Sequence, residues 1–110
     1  MSTIDKNADV MTLVNVFTVK PENQGKLVTL LTDATEQVMR GLPGFVSANI
    51  HRSLDGKRVV NYAQWKTEDD FQAMKANPEA GRHMKAAAAI AEFDPIACEV
   101  VESISADTFV

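Results

Sequence analysis

Three polar side chains stand where apolar ones would pack better. Asn15 interrupts the run Met11-Thr-Leu-Val-Asn-Val-Phe-Thr-Val-Lys20 on the side that carries Leu13 and Phe17, while Asn61 and Trp65 lie four residues apart in Val59-Val-Asn-Tyr-Ala-Gln-Trp65 and share a strand face with Val59 and Ala63. A buried amide without a partner costs about 1–3 kcal/mol, so each Asn must either be hydrogen-bonded inside the protein or line a cavity. An amide, the gap left by Ala63 and an indole make a pocket wall; the plainer alternative is a satisfied core amide and a core Trp. The other candidates are His51, Asn49, Arg82 and His83. Arg82 and His83 follow Pro78, where they could reach a sheet edge or simply form a solvated helix face. With two histidines and no carboxylates at matching spacing, no metal site is expected. Cys98 is the one cysteine, which excludes an internal disulfide and leaves zinc without a ligand set. There is no GxSxG elbow and no Gly-rich phosphate loop, which argues against hydrolase and nucleotide chemistry. Such a pocket suits a hydrophobic, aromatic ligand.

The elements that must hold these residues follow from local pattern. Met11 to Lys20 is rich in β-branched residues and stops at Pro21, predicting a strand. From Glu22 to about Arg40, Leu27, Leu30, Leu31, Ala34 and Val38 recur at three- and four-residue steps and predict a helix, stopped by Gly41 and a Leu-Pro-Gly turn. Strands are predicted over Phe45–Ser53 and Lys57–Trp65, joined at Leu54-Asp55-Gly56. Thr67 with the acids at 68–70 predicts a capped short helix, broken at Asn77-Pro78 and resumed through Ile90. A last strand is expected over Ile96–Ile104, and 106–110 reads as a tail. The order β-α-β-β-α-β is the ferredoxin-like α+β pattern, with both helices on one face of a four-stranded antiparallel sheet, in a single domain spanning 1–110 with its core at about 11–104.

The first strand is apolar on both faces: Met11, Leu13, Phe17 and Val19 point one way, Val10, Val14 and Val16 the other. Two helices cover one face, so the second is expected to meet another copy's sheet in a two-fold homodimer. Hairpin register decides where His51 lies. A two-residue loop pairs residues summing to 111, with His51 opposite Val60 and away from Asn61; a three-residue loop pairs residues summing to 110, with Asn49 opposite Asn61. The second is favoured here because it gathers Asn49, His51, Asn61 and Trp65 on one face and leaves Ala48, Ile50, Val60 and Tyr62 for the dimer. It also sets Arg52 against Arg58.

The 110 residues are 45% hydrophobic and 24% charged, with five Gly and four Pro, a globular composition. The net charge of −4, with scattered Lys and Arg, argues against nucleic acid. Apolar runs fall short of the roughly 18 residues of a membrane span, and the first nine residues have no apolar core, so no membrane partner and a cytoplasmic location are expected.

Leu42-Pro-Gly-Phe-Val-Ser-Ala48, His51-Arg-Ser-Leu-Asp-Gly56 and above all Val59-Val-Asn-Tyr-Ala-Gln-Trp65, followed by an acid-rich helix start, resemble the antibiotic biosynthesis monooxygenase family, and within it the actinorhodin-type anthrone monooxygenases. The resemblance runs over about 11–104. It implies a dimeric α+β barrel that oxidises polyketide anthrones to quinones with dioxygen and without flavin, haem or metal, so no cofactor is expected. In such enzymes the substrate's own electron-rich anion reacts with oxygen, and the protein supplies a dry cavity, oxyanion donors and a proton relay. The resemblance implies Asn61 as amide donor, Trp65 as indole donor and stacking surface, and His51 as the proton-transfer group. Asn15, Phe17, Asn49, Phe71, Arg82 and His83 are the candidates for binding substrate. One departure is plain: the anthrone enzymes carry a tyrosine six residues beyond the tryptophan, where this chain has Phe71, which has no hydroxyl to donate. Two alternatives stay open. One is a non-catalytic dimer that holds a hydrophobic metabolite. The other is haem degradation, for which Asn15 and His83 resemble the relevant residues but Met74 stands in place of a helix Trp.

Overall fold

The computed structural model describes residues 2–107; the end of the expected tail, 108–110, lies outside them. Four strands, β1 (Met11–Val19), β2 (Phe45–Arg52), β3 (Arg58–Trp65) and β4 (Ala91–Cys98), form one antiparallel sheet in the order β2-β3-β1-β4. Three helices, α1 (Gln24–Gln37), α2 (Glu68–Lys75) and α3 (Pro78–Ala88), follow the expected β-α-β-β-α-β course, with the second helical region broken at Pro78.

The breaks and starts have local causes. The Thr67 hydroxyl accepts from the Asp70 N–H at 3.0 Å, and the Asn77 side chain accepts from the N–H groups of Glu79 and Ala80. Both caps satisfy donors that the first turn leaves open, and Pro78 has no N–H to satisfy. Along β1, Leu13, Asn15, Phe17 and Val19 are buried toward the helices, where fully covered Leu27 and Val59 pack in a cluster with Phe17. A second cluster gathers Leu13, Ala34, Met39, Ala63, Trp65 and Phe71.

Two expectations are corrected. The last strand is Ala91–Cys98, where Ile96–Ile104 was expected: α3 ends at Ala88 rather than running through Ile90, and the chain enters β4 at once to pair Ala91 with Val19 and Cys98 with Thr12. Asp94-Pro95 reads as a breaker in sequence, but β4 is an edge strand, where a missing proline N–H is tolerated. The second correction is the hairpin register. Ile50 pairs with Asn61, Asn49 with Tyr62, His51 with Val60 and Arg52 with Val59, the register summing to 111. The loop spans four residues, Leu54 to Lys57, closed by Ser53 N–H donating to the Arg58 carbonyl at 2.9 Å, with Gly56 at φ +80°. This register keeps Arg52 away from Arg58, and the loop bonds itself: the Asp55 carboxylate accepts from the Ser53 hydroxyl at 2.7 Å and the Lys57 N–H at 3.0 Å. Gln24 of α1 donates to the Ser53 and Arg58 carbonyls and pins the hairpin to the helix layer.

The face turned from the helices carries Val14, Val16, Val60 and Tyr62, half-buried, and Ile96, exposed. Near the β2 end the N-terminal segment lies over it. Gln64 donates to the Thr3 carbonyl at 2.8 Å, Asn49 donates to Ser2 and to the Tyr62 carbonyl, and Lys6 pairs with Glu102 at 3.0 Å.

Candidate active site

Between sheet and helices lies a cavity whose floor is Leu13, Asn15 and Phe17 of β1 with Asn61, Ala63 and Trp65 of β3. Alternate residues of a strand share a face, and the antiparallel register sets Asn15 directly across from Asn61, so their Cβ atoms are about 4.5–5.5 Å apart. The hollow exists because Ala34, Ala48 and Ala63 leave space where larger side chains would fill it. Leu31, Ala34 and Thr35 of α1 and Phe71 and Met74 of α2 form the roof, and Phe93 and Pro95 close the β4 side. The cavity volume is about 100 Å³, room for several waters or a small ring system.

The polar character of this space is sparse. Asn15 Oδ1 and Asn61 Oδ1 are both buried without a hydrogen-bond partner among the described residues. Both residues line the void, so their amides lie within reach of a ligand held there. Rotation about the amide torsion presents either the oxygen or the NH₂ to the cavity. Around the amides the surfaces are aromatic. Phe45 meets Trp65 edge to face at 5.4 Å and 85°, Phe71 lies 6.3 Å from Trp65, and Phe17 lies 5.8 Å from Phe93. A β-bulge between Phe45 and Ser47 brings Phe45 onto the cavity side while Ser47 turns to the other face and bonds Gln64 at 2.7 Å.

The structure therefore brings Asn15, Phe17, Asn61, Trp65 and Phe71 together around one space and places four other candidates elsewhere. His51 and Asn49 do not share the face of Asn61. In the observed register Ala48 and Ile50 take the cavity side and His51 is exposed on the opposite face, its Nδ1 3.1 Å from the Asn49 carbonyl oxygen. Ala48 and Ile50, expected on the dimer face, are corrected with it. Arg82 is exposed and lies 3.8 Å from Glu79, and neither it nor His83 lines the cavity. Among the lining residues missed in the sequence are Phe45 and Lys75, whose Nζ sits 5.4 Å from the centre of the Phe71 ring. The spacing Phe71 to Lys75, one helical turn, was the available signal.

A ferredoxin-like α+β chain with an aromatic, amide-floored cavity between sheet and helices is a small-molecule binding or converting protein. The family model of the antibiotic biosynthesis monooxygenases matches residues 10–88. The chain is 48% identical over 106 residues to the tetracenomycin-F1 monooxygenase of Streptomyces glaucescens, covering 96% of this chain and 95% of that one. Two solved structures are similar. The monooxygenase from the gene ActVA-Orf6 of Streptomyces coelicolor, in complex with nanaomycin D, superposes with a TM-score of 0.82 at 30% identity, over 94% of this chain and 99% of that one. SnoaB, a cofactor-independent oxygenase from Streptomyces nogalater, gives 0.76 at 25% identity, over 88% and 98%. The chain belongs to the antibiotic biosynthesis monooxygenase family, and it is an oxidoreductase of the monooxygenase class.

Proposed function

We propose that the cavity binds a fused-ring phenolic or enolic compound of the anthrone or quinol type and oxygenates it with dioxygen, the substrate's own electrons doing the reduction. The observation that carries this reading is the pair of unpartnered amides, Asn15 and Asn61, set side by side in a mostly apolar and aromatic space. Support comes from the relatives: one is named for tetracenomycin F1, one is solved with nanaomycin D, and one is described as independent of a cofactor.

The chemistry fits what these side chains can do. An anthrone-type CH₂ loses a proton to give an enolate, and the enolate passes one electron to dioxygen. The resulting radical pair joins to form a C–O bond, and protonation yields a hydroperoxide. Loss of the remaining C–H proton and of hydroxide, together one water, leaves a carbonyl; one oxygen atom stays in the quinone and the other leaves as water. The Asn61 and Asn15 NH₂ groups donate to the enolate and peroxide oxygens in a site with little competing water, where a fixed dipole is worth most. The Trp65 indole and the Phe45 and Phe71 rings hold the planar substrate by stacking. Phe71 supplies surface and no proton. The haem-degrading alternative needs Asn15 and His83 at one cavity, and only Asn15 lines it.

The test is oxygen uptake by chelator-treated protein on addition of an anthrone or a naphthohydroquinone, with one ¹⁸O from labelled dioxygen expected in the anthraquinone formed from the anthrone. Asn61→Ala is expected to lower kcat by about 10²–10³, the cost of removing one oxyanion donor. No uptake with either compound would overturn the reading, and uptake unchanged in Asn61→Ala combined with Trp65→Phe would remove these residues from it.

The outer sheet face is assigned to a second copy of the chain. Val14, Val16, Val60 and Ile96 form an apolar strip, and beside it the Tyr62 hydroxyl is buried without a partner among the described residues. A self-complementary sheet contact would cover the strip.

A further inference from the structure

Lys75, the last residue of α2, is the one charged side chain lining the cavity among the described residues. Lys75 is exposed at the rim, its ammonium lies 5.4 Å from the centre of the Phe71 ring, and that ring in turn lies 6.3 Å from Trp65. No carboxylate among the described residues pairs with it. On α2 itself, Asp70 takes the Thr67 hydroxyl, and on α3, Glu79 lies 3.8 Å from Arg82. Asp33 and Glu36 of α1 do not line the space, nor do the other basic groups of α3, His83 and Lys85. An ammonium without a carboxylate partner, set over an aromatic ring at the rim of a mostly apolar cavity, is placed to pair with an anionic group of a ligand that enters it.

We propose that Lys75 is the anion-recognition residue of this site: it pairs with the ionised ring hydroxyl or enolate oxygen of the substrate and so sets the pH at which the bound ring is in its oxygen-reactive form. The assignment rests on the function proposed above and adds the charge of the species bound. It also defines specificity, because an O-methylated ring has no anion to offer and gains nothing from Lys75. Lys75 positions and charges the substrate; the amides remain the donors to the oxygen adduct.

The probe is 2-hydroxyanthraquinone, which does not react with oxygen and whose visible band moves when its hydroxyl ionises, so the pKa of the bound dye is read directly from absorbance against pH. An opposite charge within hydrogen-bonding reach lowers a phenol's pKa, and Lys75→Met is expected to raise the pKa of the bound dye by about one pH unit relative to the wild-type chain. Binding of the ionised dye is expected to weaken about tenfold, while Lys75→Arg keeps the wild-type pKa and 2-methoxyanthraquinone binds all three proteins alike. A side chain that merely shaped the rim would weaken both dyes together and leave the bound pKa unmoved, and either result overturns the proposal. Oxygen uptake on an anthrone, measured beside it, separates the two readings. Uptake with no dye shift or no dye binding sinks the role of Lys75 alone; a dye shift with no uptake sinks the oxygenase substrate class alone; a wild-type chain that neither binds the dye nor takes up oxygen sinks both.

Discussion

Asn15 and Asn61 carry opposite meanings for stability and for function. Each buried Oδ1 has given up its water without gaining a protein donor, which costs on the order of 1–3 kcal/mol per group. Replacing the amide by an apolar side chain of similar size removes that cost. Asn15→Leu is therefore expected to raise the unfolding free energy by about 1 kcal/mol in urea titration while weakening substrate turnover, the sign expected where a site trades stability for activity. A loss of stability would instead mean that the amide is satisfied in the folded protein. Trp65→Phe separates two roles of one residue. The ring contacts with Phe45 and Phe71 are largely kept, so binding of a flat ring should hold within a few-fold, and the lost N–H should appear in kcat.

At the scale of elements, the turns that enter and leave β2 matter most, because they fix which side of the sheet each residue takes. Gly44 sits at φ +80° just before β2, its carbonyl accepts the Lys66 N–H at 2.7 Å, and a Cβ there would collide with the Asp70 side chain at the start of α2. Gly44→Ala is expected to cost about 2 kcal/mol or more in thermal or urea unfolding, from the left-handed backbone conformation and the displaced helix start together. The same change at Gly41, where nothing lies near the new Cβ, should have little effect. In the β2–β3 loop, the Ser53 hydroxyl first, then the Lys57 N–H and the charges of Lys57 and Arg58, hold the Asp55 carboxyl below its ordinary value of 3.8. A carboxylate whose folded pKa is depressed contributes stability that is present above the unfolded pKa and is lost as pH falls through the folded one. The urea-unfolding midpoint of Asp55→Asn should therefore vary less with pH below about 4 than that of the unchanged chain.

At the scale of the whole molecule, the sheet has two unlike sides. The helix side holds the cavity. The other holds an apolar strip, bordered near β2 by the N-terminal segment through Ser2 and Thr3. Sedimentation velocity at micromolar concentration is expected to give twice the mass of one chain, and Val16→Glu, which places a charge in the strip, is expected to give one. A monomeric wild-type chain would refute the pairing. Because the strip and the cavity lie on opposite faces, Val16→Glu should leave the Asn15–Asn61 floor intact.

What the sequence determined by itself was local. The β-branched run of β1, the three- and four-residue steps of α1, the Thr67 and Asn77 caps and the Pro78 break each rest on neighbours within a turn or a strand, and they give the β-α-β-β-α-β order. Asn15, Asn61 and Trp65 were legible as well, since a polar group on an apolar face is conspicuous at period two. Three things waited for the tertiary structure. The hairpin register hung on a slip of one residue, which exchanges the faces of His51 and Ile50 with no change in local pattern. The bounds of β4 depended on its being an edge strand paired along the whole of β1, which makes Pro95 harmless. Lys75 looked like any basic residue at a helix end until packing laid it over Phe71 at the cavity rim. In each case the deciding energy lies in contacts between segments distant in the chain, which residue order alone does not encode locally.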